Sequence, residues 1–489
     1  MEHKQGFFSP RLWRERILPG VAFFAILYEF TFYLVRPMLP ESMFRSFPAV
    51  PPAAFVCEGL LLLGVVLGRE RKRSFLLLNV CWLLLTRCIL GDLGPTAQFS
   101  IQWSIVLVCF FHCFAFLSKK QRTLLYALIT LELTCLISLW ALLGIATAIT
   151  GHPIAGLKSI CFSAEYEGTE PTLVFISFFG IHRNVSATYF VCAAGMLLYH
   201  CRKTNASFWK GLTLLFLPLA CCAIAIQHSR SNYLAFAALL GLVLVSSLTQ
   251  LRRWPRGLAG NAAAICTLVL SVALVFISMG AVSNGISALS QTMQETPSAE
   301  THAGGEPATE SEAPAELSDS AGAHTGGELN AENEVPAEVS DSRNTLEHSR
   351  TLTGRTEIWR AGLQTIRENP SIALIGLPVE SIMTRVVQIL DMPYAHTHMH
   401  NALMQQLMMS GVPGMVIYCL FFLSLLKRIA LDVRQRWKKK VAIQPLEALL
   451  LVLLVYGMFE PLLYKSVKIS SLMFCLSAGL LVTELEDPS

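Results

Sequence analysis

Long apolar runs separated by short polar stretches set the pattern of this chain. Runs of spanning length fall near residues 17–37, 52–68, 74–91, 98–117, 123–149, 185–200, 209–227, 232–249, 260–282, 402–426, 444–460 and 466–483. A helix needs about 20 residues to cross a hydrocarbon core. The pattern therefore predicts an all-α polytopic membrane protein of about twelve transmembrane helices.

The polar connections alternate in charge. One set is basic: RERKR at 69–73, KKQR at 119–122, CRK at 201–203, RRWPR at 252–256 and KRIALDVRQRWKKK at 427–440. The other set is poor in Lys and Arg, as in GDLGPTA at 91–97. The positive-inside rule places the basic set in the cytoplasm, together with both termini. The first run is long for a signal peptide and lacks a small-residue cleavage site, so it reads as a retained span. Two long segments, 150–184 and 283–401, then lie outside. The expected organisation is spans one to nine in 1–282, a large extracytoplasmic loop in 283–401 and spans ten to twelve in 402–489.

Composition sharpens this picture. Of 489 residues 53% are hydrophobic and only 15% charged, against about 25% charged in a soluble domain. Basic residues come in short clusters between apolar runs, which argues against nucleic acid as a partner. Most of the 14 cysteines sit inside apolar runs and read as small hydrophobes, not as a disulfide or zinc framework. From Gln291 to Ser342 there are twelve Asp/Glu and no Lys or Arg. Such a stretch buries too little apolar surface to offset ordering entropy, so it reads as a disordered, passive insertion.

Beyond it, TGRTEIWRAGLQTIRENP at 353–370 puts Ile358, Trp359, Leu363 and Ile366 on one helical face, with Arg360, Gln364 and Arg367 opposite. Thr353 is the expected cap and Pro370 the stop. A second amphipathic helix is expected at 379–390. On the predicted outer face several polar groups gather: His182 and Arg183 before span six, Arg230 at the start of span eight, Arg355, the run His396-Thr397-His398-Met399-His400-Asn401, and Glu460 with Lys465 in the last loop. An arginine fork fits phosphate oxygens. A neutral imidazole accepts a proton from a hydroxyl. Together they suit glycosyl transfer from a lipid diphosphate.

Three stretches carry a family resemblance: SRSNYLAF at 229–236, TGRTEIW at 353–359 and HMHNALMQQLMMSGVPGMVIY at 398–418. In order and spacing they resemble the O-antigen ligase and O-antigen polymerase family of bacterial membrane glycosyltransferases. The resemblance implies that Arg230 and Arg355 bind diphosphate, that His400 is a base or acceptor-orienting group, and that Glu460 is the carboxylate of the last outer loop. Arg183 is a further candidate phosphate contact; His398, Asn401 and Trp359 are supporting. Where such proteins have Gly-x-Phe-x-Asn-Pro-Asn before span six, this chain has Gly180-Ile181-His182-Arg183-Asn184-Val185, without that Pro, which leaves the role of Asn184 open. The implied donor is an undecaprenyl-diphosphate-linked glycan, the acceptor a glycan or lipid hydroxyl, with no cofactor and no metal, in a bacterial plasma membrane. Ligase and polymerase are not separated by these residues.

Plainer readings stand beside these. His400 also reads as a helix-end histidine or a metal ligand, Arg230 as a snorkelling interfacial residue and Arg355 as a solvated first-turn residue. Glu58 and Glu132 lie within spans and are expected to be protonated, or paired with Arg87 or His112. A proton path there would suit a secondary transporter or glycan flippase, the rival from another class. Transporters tend to place sites at the midplane between repeated halves; no repeat is visible, and the polar cluster lies at one face.

Overall fold

The computed structural model describes residues 17–36, 54–67, 74–150, 160–167, 170–178, 183–249, 257–295, 352–390, 398–439, 441–458, 460, 463 and 469–487. His182, His396, Lys465, Asp391 and the acidic stretch beyond Glu295 lie outside them. A helix occupies each of the twelve expected windows: α1 (Leu18–Val35), α2 (Ala54–Leu67), α3 (Phe75–Ile89), α4 (Pro95–Phe116), α5 (Lys119–Thr150), α6 (Arg183–Thr204), α7 (Ser207–Ile226), α8 (Arg230–Leu248), α9 (Gly257–Glu295), α13 (Ala402–Lys439), α14 (Pro445–Tyr456) and α15 (Ile469–Glu486). Between α9 and α13 come α10 (Leu352–Glu368), α11 (Ile372–Ile375) and α12 (Val379–Leu390).

Among the described residues eight helices are long and apolar enough to cross a membrane: α1, α4, α5, α7, α8, α9, α13 and α15. That is fewer than the twelve expected. Helices α2, α3 and α14 have only 14, 15 and 12 residues. At 1.5 Å per residue, the last spans about 18 Å, short of a ~30 Å core. Helix α6 has 22 residues but carries Asn184, Ser186 and Thr188, and is buried on nearly every side. It is a protein-facing core helix, so it does not need a lipid-compatible surface. By contrast the apolar window of α9, Ala259–Val282, is 6% buried and exposes Ile265, Val269, Leu270 and Ile277, as a lipid-facing helix does.

The all-α expectation needs one correction. Strands β1 (Ile160–Glu167) and β2 (Glu170–Phe178) form an antiparallel hairpin in the 150–184 loop, paired from Ile160↔Phe178 to Glu167↔Glu170. The sequence of β1 alternates apolar and polar residues, and Gly168-Thr169 follows as a turn signal. Two strands of eight and nine residues were too short to stand out among the spans. Phe178 is buried and closes the hairpin onto Phe190 of α6, 5.8 Å between ring centres.

Among the described residues, basic side chains of the connections at 119–122, 201–203 and 427–440 meet at one end of the bundle. Arg428 pairs with Glu486 at 2.6 Å, Arg122 with Asp487 and Lys203 with Glu484. Tyr199 also donates to Glu484 at 2.7 Å, and Arg202 to the Ile443 carbonyl at 3.3 Å. Every basic connection named here meets the C-terminal end of α15 or the start of α14. The N-terminal ends of α6, α8 and α13 lie at the opposite end, where the candidate site forms.

Helix α13 is broken rather than continuous. Gly411 has φ 68°, and Pro413 removes a backbone donor. The freed carbonyls find new partners. Leu377 N donates to Met408 O at 2.8 Å, Arg87 to Met409 O, Trp82 Nε1 to Ser410 O at 2.8 Å, and Asn79 Nδ2 to Gly414 O at 3.2 Å. A Cβ on Gly411 would overlap the Leu374 backbone, so only glycine permits this crossing. Arg87 is fully buried; it also donates to Leu377 O at 2.6 Å and pairs with Asp92 at 2.7 Å. It is thus not the partner of Glu58 or Glu132 that the sequence suggested. His112 hydrogen-bonds Ser74 at 2.8 Å, and Glu132 accepts from Thr31 at 3.0 Å. Glu29, a further fully buried acid, lies within the first apolar run and is of the same kind as Glu58 and Glu132.

Candidate functional site

Five separate segments supply the site, and most do so from a helix start. Helix α6 brings Arg183 and Asn184, α8 brings Ser229 and Arg230, and α10 brings Arg355 and Trp359. The segment 398–401 leads into α13, and the chain after α14 carries Glu460. Helix α10 buries Ile358, Ala361 and Thr365. Leu363, expected on that face, is 53% exposed, so the buried stripe is rotated towards Ala361 and Thr365. Helix α12 buries Val379, Ile382, Met383 and Val386, the expected amphipathic pattern.

Glu460 is the hub, at 1% exposure. Arg355 Nη2 lies 3.7 Å from Oε1, His400 Nδ1 3.6 Å from Oε1, His398 Nε2 3.8 Å from Oε2, and Asn184 Nδ2 donates to Oε1 at 3.4 Å. One amide donor, one guanidinium and two imidazoles thus surround one buried carboxylate, the amide within hydrogen-bond distance and the other three nitrogens at 3.6–3.8 Å.

The two imidazoles are held differently. The His400 amide donates to His398 Nδ1 at 3.2 Å. In the neutral ring that bond assigns the proton to Nε2, so Nε2–H points at Glu460. His400 turns Nδ1 towards Glu460 Oε1 at 3.6 Å, so Nε2 is the ring nitrogen on the side away from the carboxylate. The rings stand edge to face with centres 4.1 Å apart. His400 has φ 48°, as does His228 before Ser229. A non-glycine residue there costs about 1–2 kcal/mol, a strain that clusters at functional sites.

The histidine segment is anchored on both flanks. Trp359 Nε1 donates to Met399 O at 2.8 Å, and Met399 N to Gln405 Oε1 at 3.0 Å. Asn401 Oδ1 caps α13 by accepting from Leu403 N (2.9 Å) and Met404 N (3.0 Å), while its amide donates to Met458 O at 2.9 Å. Ala402 N donates to Gly457 O at 3.1 Å. The start of α13 is thereby tied to the segment that bears Glu460.

Arg355, His398, His400, Asn401, Trp359 and Glu460 are therefore brought together. Arg183 is half-buried at the start of α6, close by in sequence to Asn184. Arg230 is exposed at the start of α8 and makes no ion pair with another described residue. The sequence left Asn184 open and missed Ser229, Asn232, Thr188 and Tyr456, which form a buried polar cluster with it. Ser229 and Asn232 lie within the SRSNYLAF stretch; for Thr188 and Tyr456 the signal was polarity inside otherwise apolar helices.

His398, His400 and Glu460 also form a group of the kind that holds a metal, with one ligand atom from each within 4.8 Å of the others. In the sequence the carboxylate nearest this histidine run is Asp391; the fold supplies Glu460. At the same group His398 Nδ1 accepts the His400 amide at 3.2 Å, and the Arg355 guanidinium lies 3.7 Å from the carboxylate.

Helices of membrane-spanning length, with a buried carboxylate, arginine and imidazole cluster at one end, describe a multi-pass membrane protein. Residues 212–419 match the family model described as O-antigen ligase, the family that the three motifs resemble. The match contains Arg230, Arg355, His398 and His400; Arg183, Asn184 and Glu460 lie outside it. It supports a membrane glycosyltransferase of ligase or polymerase type, acting on lipid-linked glycans. No curated protein matches the chain significantly.

Proposed function

We propose that the chain transfers a glycan from an undecaprenyl-diphosphate carrier to an acceptor hydroxyl at the outer face of a bacterial plasma membrane. The observation that carries this is the junction at Glu460 of Arg355 and His400, which come from different parts of the chain. His400 Nε2 takes the acceptor's proton as the hydroxyl oxygen bonds to the anomeric carbon. The bond from that carbon to the diphosphate oxygen breaks, and the electron pair leaves with undecaprenyl diphosphate. Glu460 orients His400 through Nδ1 and stabilises the imidazolium that forms. Arg355 neutralises the leaving diphosphate, with Arg230 and Arg183 along its approach. Arg355 rests near Glu460 before donor binds; its shift to phosphate would leave the carboxylate facing His400 more strongly. The outer placement is supported by the basic connections gathering at the opposite end of the bundle.

Product analysis tests this reading. Purified protein given a labelled lipid-linked glycan and an acceptor is expected to yield a new glycosidic bond: one linkage per acceptor for a ligase, a ladder of lengths for a polymerase. Glycan carried across a vesicle membrane with no bond formed would instead establish the transporter reading. Thr356, exposed beside Arg355, is a place to engineer a cysteine for labelling by an impermeant thiol reagent. Protection of that cysteine in intact cells, with exposure only after lysis, would overturn the outer placement.

A further inference from the structure

We propose that Asn184 is the positioning residue for Glu460, and that a one-way chain of hydrogen-bond donors ending in its side-chain amide aims the carboxylate at His400 and Arg355. The inference rests on the glycosyl-transfer reading of the site. It adds four residues, Thr188, Asn232, Ser229 and Asn184, to which nothing in the motifs assigns a role.

The direction of the chain follows from counting donors and acceptors. The Asn184 main-chain carbonyl can only accept, and it accepts from Asn232 Nδ2 at 2.6 Å and from Tyr456 Oη at 2.9 Å, which turns the Asn232 NH2 towards it. Asn232 Oδ1 then faces the Thr188 hydroxyl at 2.9 Å, which also lies 2.8 Å from the Asn184 carbonyl. Asn232 Nδ2 then also donates to Ser229 Oγ at 2.8 Å. With its oxygen used as acceptor, Ser229 gives its own proton to Asn184 Oδ1 at 2.8 Å. That fixes the Asn184 amide: oxygen towards Ser229, NH2 towards Glu460 Oε1 at 3.4 Å. The alternative amide orientation would set two acceptors against each other at Glu460 and take from the Ser229 proton the acceptor it has here.

Thr188, Ser229 and Asn232 are fully buried, so water does not compete for these bonds. Asn184 grips the last-loop segment twice, through Tyr456 Oη and through Glu460, while Glu460 N donates to Tyr456 O at 3.1 Å. The segment 456–460 follows the shortest apolar helix of the bundle and lacks a long helix of its own to hold it. The start of α6 therefore serves as its template.

Asn184→Asp is the discriminating variant. It keeps the shape, the main-chain carbonyl bonds and the oxygen for Ser229, but replaces the donor that faces Glu460 with an acceptor. Ser229→Ala keeps Asn184 and removes what orients its amide. Two readouts are taken with Asn184→Ala as reference: turnover, and the rate at which a carbodiimide labels Glu460, mapped by peptide mass. Positioning predicts that Asn184→Asp loses roughly 10- to 100-fold in kcat with the KM for the lipid-linked donor within about threefold. Ser229→Ala loses less, and Glu460 labels faster in all three variants. Wild-type kcat and wild-type labelling in Asn184→Asp would overturn the proposal, since a residue that only fills space tolerates its isostere. Should the wild type form no glycosidic bond, the functional reading fails, and the Glu460 labelling rates still decide the positioning role.

Discussion

Replacing Arg87 by alanine should loosen the whole outer half of α13. The guanidinium is fully buried and makes three contacts: Asp92 at 2.7 Å, Leu377 O at 2.6 Å and Met409 O. Its removal leaves Asp92 with the Val379 amide at 3.1 Å as its remaining described donor, and strands two carbonyls. Breaking a buried ion pair from one side costs about 3–5 kcal/mol. A stranded acceptor costs about 1–3 kcal/mol. These terms overlap, and Asp92 is 12% exposed, so water recovers part of the loss. The expected destabilisation is about 3–4 kcal/mol, a large share of a typical 5–15 kcal/mol. Asp92→Ala should cost a similar amount, because it leaves the buried guanidinium half-paired. The double variant should cost less than the sum, with a coupling of about 1–3 kcal/mol. Equilibrium unfolding in mixed micelles gives each corner of the cycle, and limited proteolysis should show α11 and α12 opening first. Single variants within about 0.5 kcal/mol of wild type, or a coupling near zero, would refute the clamp.

Two further outcomes follow from the same geometry. Gly411→Ala should cost about 2–4 kcal/mol and sharply reduce folded yield, because φ is 68° and the new Cβ would overlap the Leu374 backbone; Gly91→Ala, at φ 64° with nothing within 4 Å, should cost only about 1 kcal/mol, and equal effects would show that the crossing at Gly411 is unimportant. Deleting residues 296–342, beyond the end of α9, should leave turnover within about twofold of wild type if that acidic stretch is a passive insertion, and complete loss would contradict it.

Helix positions were legible because lipid and protein interiors both demand long apolar runs; α12 at Val379–Leu390 coincides with its expected range. Span number was less legible, since α6 is apolar enough for a protein-lined interior but not for lipid, and α14 is too short to cross alone. The site was half legible. Arg355, His400 and Glu460 stood out as charged or titratable groups at the same expected face. Asn184, Ser229, Asn232 and Thr188 did not, because a hydroxyl or amide in a helix is common and only the third dimension shows what it faces. The break in α13 was hidden for a related reason. Gly411-Val412-Pro413-Gly414 was read as part of a helix, whereas the positive φ depends on the passing Leu374 backbone. Glu460 as the shared partner of two imidazoles likewise needed the fold, because 60 positions separate Glu460 from His400.

The most direct test of the central claim is the stoichiometry of transfer in sealed proteoliposomes loaded with a labelled lipid-diphosphate glycan. Wild-type protein should release one undecaprenyl diphosphate for each glycosidic bond formed, and only with acceptor present. His400→Ala and Arg355→Ala, folded as judged by unfolding, should lose at least about a hundredfold of that turnover. Unchanged turnover in those variants, or carrier released without any bond to an acceptor, would contradict the account.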